Sequence, residues 1–447
     1  MQALRNLPKI DKLIANTAFE GLHVERVTTL AREQIDALRQ RILQGDSDTV
    51  DETALIDAIL SCYHEALTPS LKPLINATGV IVHTNLGRSC IHPTLLERAA
   101  PLITNYSNLE YNLEQGERGE RYAHVSRHLR ELLGVEDVLV VNNNASAVFL
   151  ILNTFAKNKE AIVSRGELVE IGGSFRVPDV MSQSGAILKE VGTTNKTRIA
   201  DYQNAITQTT SVLMKVHRSN FSIEGFSEEA SFEQIVALAK DHGLIDYYDL
   251  GSGYLPELPY GLSRAEPPLK KLLACTPSLV SFSGDKLLGS VQAGIIVGKK
   301  ELINALKKNQ LLRMLRVDKI TLALLEESIK AYLNDELHLI PTMHLLCRSQ
   351  EALHARAVAL QKTIGPHHCT IIESVSYVGG GTMPNRKIPT IALALKGDAK
   401  TLEKTFREHL IIGRIQDDAF LLDLRSVREE DEALLLTTAK AILKEVL

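Results

Sequence analysis

The sequence predicts an α/β protein built on a mostly parallel seven-stranded sheet, with a helical domain before it and a smaller α+β domain after it. Three observations carry this. Apolar residues repeat at helical spacing early in the chain, short β-branched runs alternate with helix-length segments in the middle, and the pattern changes beyond about Val317. A chain of 447 residues has room for two or three domains.

Residues 1–70 read as the helical N-terminal domain. Ile35, Leu38 and Ile42 recur at helical spacing, as do Leu55, Ala58 and Ile59 after the polar break GDSDTVDE. Its charges are mixed, with Arg5, Lys9, Lys12, Arg26 and Arg32 set against Asp11, Glu20, Glu25 and Glu33. A solvated helical cap explains that mixture as well as a partner does.

Residues 71–316 read as the large domain. Its buried runs are Val138–Val141, Ala161–Ser164, Ala186–Val191, Val212–Val216, Leu244–Tyr248, Leu279–Phe282 and Ala293–Val297. Continuous apolar strands separated by helices are the mark of a parallel sheet covered on both faces. The last two runs are joined only by SGDKLLGSVQ, too short for a crossover helix, so this pair is expected to be antiparallel. Residues 317–447 read as a small α+β domain: a long helical stretch, two strands around Gly379–Gly381, a helix at Leu402–His409, a hairpin-like pair and a final helix from about Glu429.

Composition narrows the function classes. Hydrophobic residues make up 45% of the chain, enough for a large core, and no apolar run is long enough to span a membrane. The N-terminus lacks the apolar stretch of a signal peptide. Cys62, Cys90, Cys275, Cys347 and Cys369 are scattered and form no CxxC pair, which fits a reducing cytoplasm and argues against disulfides or structural zinc. His367-His368-Cys369 lacks a spaced partner pair and reads as a loop or edge strand, so no metal is expected. With a net charge of −4, any nucleic acid must be held by local patches.

Ligands of open α/β sheets bind beyond the carboxyl ends of the strands. Three such ends carry chemistry. Asp249 closes one run, in DYYDLGSG. Lys286 follows another on the small-residue turn Ser283-Gly284-Asp285-Lys286. Asn142 to Ala147, including Asn144, Ala145 and Ser146, open a helix whose first amides suit a phosphate. A lysine for a Schiff base, an aspartate to keep a pyridine nitrogen protonated and a phosphate-binding helix start are together what pyridoxal 5'-phosphate (PLP) requires. Nucleotide motifs fit less well, since neither GxxxxGK[ST] nor a correctly framed GxGxxG is present.

These residues belong to longer stretches that resemble the bacterial selenocysteine synthase family, the L-seryl-tRNA(Sec) selenium transferases, along nearly the whole chain. The stretches are INATGVIVHTNLGRS (Ile75–Ser89), YSNLEYNLEQGERGERYAH (Tyr106–His124), VVNNNASAVFL (Val140–Leu150), EIGGSFRVPDVMSQSGAILKEVGTTNKT (Glu170–Thr197), DLGSG (Asp249–Gly253), SFSGDKLLG (Ser281–Gly289), QAGIIVGKK (Gln292–Lys300) and LRMLRVDK (Leu312–Lys319). The resemblance implies a fold-type-I PLP enzyme that converts seryl-tRNA(Sec) to selenocysteinyl-tRNA(Sec) with selenophosphate, through a dehydroalanyl aldimine. It implies that Lys286 carries the cofactor and removes the α-proton, with Asp285 and Arg313 assisting. It further implies that Arg88, Arg118, Arg121, Arg313 and Arg316 meet the anionic donor and the tRNA end, because the guanidinium fork suits phosphate. His217 either stacks on the pyridine ring or is an ordinary strand-end histidine, and Ser283 lies on the lysine turn.

The resemblance also implies tRNA gripping by the N-terminal domain and a homo-oligomer, a decameric ring of dimers, with an interface role for Gly192-Thr193-Thr194-Asn195. Departures from the family pattern are Ser290-Val291 where Gly-Pro is usual, Ser146 in place of an alanine, and Arg218 after His217. Ser290 and Val291 alter the backbone freedom expected of the turn beside Lys286. A relative acting on a free amino acid would need neither the N-terminal domain nor the GERGER segment. A tRNA-binding protein without catalysis would not need Lys286, Asp249 and the phosphate helix together.

Overall fold

Val27, Ala31, Ile35 and Leu38 fall on one side of the helix Val24–Gln44, which ends where Gly45 takes a left-handed φ of 83°. Asp51 caps the helix Glu52–Leu67 by accepting from the Ala54 amide, and that helix buries Leu55, Ile59 and Tyr63. These side chains meet Leu13 and Phe19 in a small core of their own. The computed structural model describes residues 2–46, 49–171, 175–218, 221–223, 225–379 and 381–446. Ser47, Asp48, Gly172–Ser174, Ser219, Asn220, Glu224 and Gly380, parts of the stretches read above, lie outside the described residues. By packing, the chain divides into two units, Met1–Pro73 and Leu74–Leu447.

In the second unit, seven strands among the described residues form the central sheet. They are β1 (Asp137–Val141), β2 (Glu160–Ser164), β3 (Ile187–Val191), β4 (Thr210–Val216), β5 (Ile245–Gly251), β6 (Leu279–Ser283) and β7 (Gly294–Gly298). Their spatial order is β1-β7-β6-β5-β4-β2-β3. Strands β6, β5, β4, β2 and β3 run parallel. Only β7 is reversed, pairing antiparallel with both β6 and β1, as the short connection predicts. Val138 to Val141 are wholly buried, the expected state of strands covered on both faces. The α/β class and the seven strands are those the sequence predicts.

Helix boundaries follow local chemistry. The helix Phe232–His242 begins with a reciprocal capping box between Ser231 and Gln234 and ends at the left-handed Gly243. The helix Lys319–Leu333 places Leu322, Leu325 and Ile329 in the same core as the central sheet.

Further on, the long strands Cys369–Gly379 and Thr382–Leu395 pair antiparallel, and Ala419–Asp423 and Arg414–Gln416 extend the sheet on one side. On the other side Val80–Val82 adds in parallel, while Ile75–Asn76 pairs with Ile411–Ile412. A separate core fills this part with Ile391, Leu393, Phe406, Phe420 and Leu443. Core membership here does not follow chain order. No helix among the described residues is long and apolar enough to cross a membrane.

Candidate active site

The sheet register brings the predicted strand ends together. Val216 of β4 lies opposite Asp249 of β5, and Asp249 lies opposite Ser281 of β6. Ser283 then faces Gly294 of β7, which faces Val141 of β1. Asn144, His217, Asp249 and Lys286 therefore share one edge of the sheet.

Asn143 caps the helix Asn144–Phe155, its Oδ1 accepting from the Ser146 amide at 2.8 Å. The Ala147 amide donates to the Asn143 carbonyl, so the amides of Asn144 and Ala145 precede the helix's own bonding and remain open to an anion. The strand β7 makes that turn possible. A Cβ on Gly294 would lie 2.2 Å from the Asn143 carbonyl oxygen.

Asn144 Nδ2 donates to Asp249 Oδ1 at 2.8 Å, and the His217 amide donates to the Asp249 carbonyl at 2.9 Å. Burial pushes the Asp249 carboxyl above its ordinary range, opposed by the Asn144 bond and by the charges of Lys286 and His217. Lys286 is 8% exposed, and its Nζ donates to the Gly381 carbonyl at 3.3 Å. Burial lowers its affinity for a proton, although Asp249 pulls the other way.

The turn carrying Lys286 is pinned from outside the strand. Ser89 Oγ donates to the carbonyls of Asp285 and Lys286, 2.8 Å each, and Thr342 reaches Ser89 at 3.1 Å. Asp285 Oδ2 pairs with Arg88 Nη1 at 2.7 Å, and Arg88 itself sits at a left-handed φ of 62°. Ser290 is tied into the turn by its own hydrogen bonds. It has no left-handed φ, is buried, and donates to Ser328 Oγ at 2.7 Å, while its amide meets the Gly284 carbonyl. Glycine is required one residue earlier, where a Cβ on Gly289 would meet Ile340 at 2.6 Å.

Several buried polar atoms at this end of the sheet have no hydrogen-bond partner among the described residues: Asn144 Oδ1, His217 Nδ1, Asp285 Oδ1 and Glu266 Oε2. Unmet buried polar groups call for a ligand. A lysine, a carboxylate and open helix amides fit a flat, phosphorylated, nitrogen-containing ring. Glu266, 1% exposed, lies 3.6 Å behind His217 and accepts from Ser252.

Ala145 and Ser146 are half-buried at the helix start and Ser283 is buried on the turn. Arg118, Arg121, Arg313 and Arg316 gather elsewhere, around a cavity of about 410 Å³ also lined by Glu110 and Lys307. Arg313 thus lines this second cavity, and Lys286 is not in its lining. Sequence reading missed Ser89, Gly381, Glu266 and Glu110. Ser89 and Glu110 stood inside the quoted stretches, and nothing local marked the other two.

The sheet order, the buried lysine after β6, the carboxylate ending β5 and the open helix start define the class, a PLP-dependent enzyme of fold type I. Residues 74–428 match the SelA family, described as L-seryl-tRNA selenium transferase. The chain belongs to that family. It is 57% identical over 435 residues to the L-seryl-tRNA(Sec) selenium transferase of Aliarcobacter butzleri, covering 96% of each chain. It is likewise 57% identical over 435 residues to that of Sulfurimonas denitrificans, covering 96% of this chain and 97% of the relative. In fold it is similar to a D-glucosaminate-6-phosphate ammonia-lyase, with a TM-score of 0.61 at 19% identity over 86% of this chain and 98% of the other.

Proposed function

We propose that this protein converts L-seryl-tRNA(Sec) to L-selenocysteinyl-tRNA(Sec) in the cytoplasm, with selenophosphate as the selenium donor. The observation that carries the reading is the buried Lys286 amine, set against Asp249 and Asn144, in a chain aligned over 96% of its length with L-seryl-tRNA(Sec) selenium transferases. Bound there, PLP supplies an electron sink that makes the seryl α-proton acidic and lets the β-hydroxyl leave.

The chain's own residues do the rest. Burial lowers the proton affinity of Lys286 Nζ, the direction a general base for the α-proton requires. The Asp249 carboxylate, oriented by Asn144, would hold the proton of the ring nitrogen. The amides of Asn144 and Ala145, with Ser146 and Ser283, would hold the phosphate. His217, 3.6 Å from Glu266, would meet the ring. Asp285, paired with Arg88, orients the leaving or attacking group at Cβ.

Arg118, Arg121, Arg313 and Arg316 form the site for the donor's phosphate and the tRNA end, where guanidinium forks match phosphate oxygens. In this reading residues 1–70 grip the tRNA, 71–316 carry the chemistry and 317–447 form the small α+β domain. The chains assemble as a homo-oligomeric ring of dimers, a decamer, with sites shared between subunits.

The test is conversion of seryl-tRNA(Sec) by the PLP-loaded protein given selenophosphate. Selenocysteinyl-tRNA(Sec) is expected from wild type and none from Lys286→Ala, which also loses the visible absorbance that added PLP gives wild type. A protein that acquires the absorbance yet leaves seryl-tRNA(Sec) unchanged would refute the substrate assignment.

A further inference from the structure

The arginine cavity holds its own anion. Glu110 Oε1 accepts from Arg121 Nε at 2.8 Å and lies 2.7 Å from Arg121 Nη2, a fork-to-carboxylate pairing. Arg121 Nη1 donates to the Val317 carbonyl at 2.6 Å, so this side chain, 15% exposed, is held through three of its five N–H groups. Arg316 and Arg118 stand 3.5 and 3.6 Å from the same carboxylate, attracted by charge but too far for a good hydrogen bond. Arg313 is exposed and has no ion pair among the described residues.

The cavity's other carboxylate, Glu120, is exposed and 3.7 Å from Lys307, which also holds Asp137. Glu110 is the carboxylate within 3.6 Å of Arg121, Arg316 and Arg118. The Arg121 bond holds its carboxyl below the usual range, so it stays ionised at neutral pH.

We propose that Glu110 is the internal counterion of the anion site, clamping Arg121 as a strut and setting how tightly Arg313, Arg316 and Arg118 hold a phosphate-like anion. The proposal rests on the reading of this cavity as the donor site. Arg121, held at three points, then acts first as a positioning residue within that site. Arg316 and Arg118, loosely held, turn from Glu110 to the incoming anion. A cluster of four guanidinium groups with no offsetting charge would retain the phosphate left after selenium transfer, and one fixed carboxylate at contact range weakens that hold. Turnover needs a site that fills and empties.

The experiment is calorimetric titration of the PLP-loaded full-length protein with inorganic phosphate, the cofactor's own phosphate site being already filled. Glu110→Gln keeps an acceptor for Arg121 and removes the charge. It is expected to tighten phosphate binding roughly three- to tenfold and to steepen the loss of affinity with added salt. Glu110→Asp keeps the charge and is expected to stay within about twofold of wild type. A Gln variant of wild-type thermal midpoint that binds phosphate equally or more weakly overturns the proposal. So does an Asp variant that tightens binding as much as Gln, because geometry and not charge would then be responsible. Arg313→Ala separates the two readings: if it leaves phosphate affinity unchanged, the cavity is not the anion site, and the underlying reading fails first.

Discussion

Replacing Asn144 with alanine removes the side-chain donor that reaches Asp249 Oδ1 at 2.8 Å, while leaving the Asn144 amide at the helix start. The two contributions proposed for this residue, to the ring nitrogen's partner and to the phosphate, are thereby separated. Asp249 is 6% exposed, and burial already raises its pKa. A hydrogen bond to a charged group contributes about 1.5–3 kcal/mol, which corresponds to roughly a 10- to 100-fold change in binding. The sign follows from the direction of the shift. A carboxyl whose pKa is raised loses its charge as pH falls through that value, and removing Asn144 moves the loss to higher pH. PLP affinity should therefore drop, and more as pH falls. The assay is titration of the cofactor-free Asn144→Ala protein with PLP, followed by absorbance at several pH values. A cofactor analogue lacking the ring nitrogen provides the control, and both proteins should bind it alike. Wild-type PLP affinity at every pH would refute the reasoning, and an equal loss with the analogue would place the effect at the phosphate.

Two further outcomes test the frame around the site. Gly294→Ala puts a methyl 2.2 Å from the Asn143 carbonyl, and strain of this kind costs about 1–3 kcal/mol or more. Both the thermal midpoint and PLP affinity should fall, and an unchanged PLP affinity would mean that β7 does not fix the helix start. Ser290→Gly removes the bond to Ser328 and adds backbone freedom, together about 1–2 kcal/mol. The thermal midpoint should drop by a few degrees, and a rise would show that serine is a burden in that turn.

The central sheet was legible because buried parallel strands are written as unbroken β-branched runs, and their ends are marked where small or polar residues replace them. Asp249, Lys286 and Asn144 were found at such ends. What stayed hidden was set by distance along the chain. Gly381 meets Lys286 across 95 residues, and Ser89 meets the same turn across 197. Neither contact leaves a local pattern. Ile75–Asn76 and Val80–Val82 are too short to alternate, so nothing in them announces that their partners lie beyond residue 370. The helix Lys319–Leu333 follows a real change of pattern, yet its apolar stripe enters the core of the sheet before it. Glu110 was passed over because a charge-rich segment shows its arginines plainly but not which carboxylate they enclose.

The strand order has a consequence for how the protein comes into being. The first strand of the central sheet to be synthesised, β1, ends up against the last, β7. Asn144 and Asp249 are 105 residues apart, and Lys286 waits on Gly381. A growing chain closes its loops before these contacts reward it, and parallel sheets are slow for that reason. The pocket proposed for PLP is therefore absent from any early fragment emerging from the ribosome. Free PLP would then stabilise finished chains by mass action while offering nothing to those still being made.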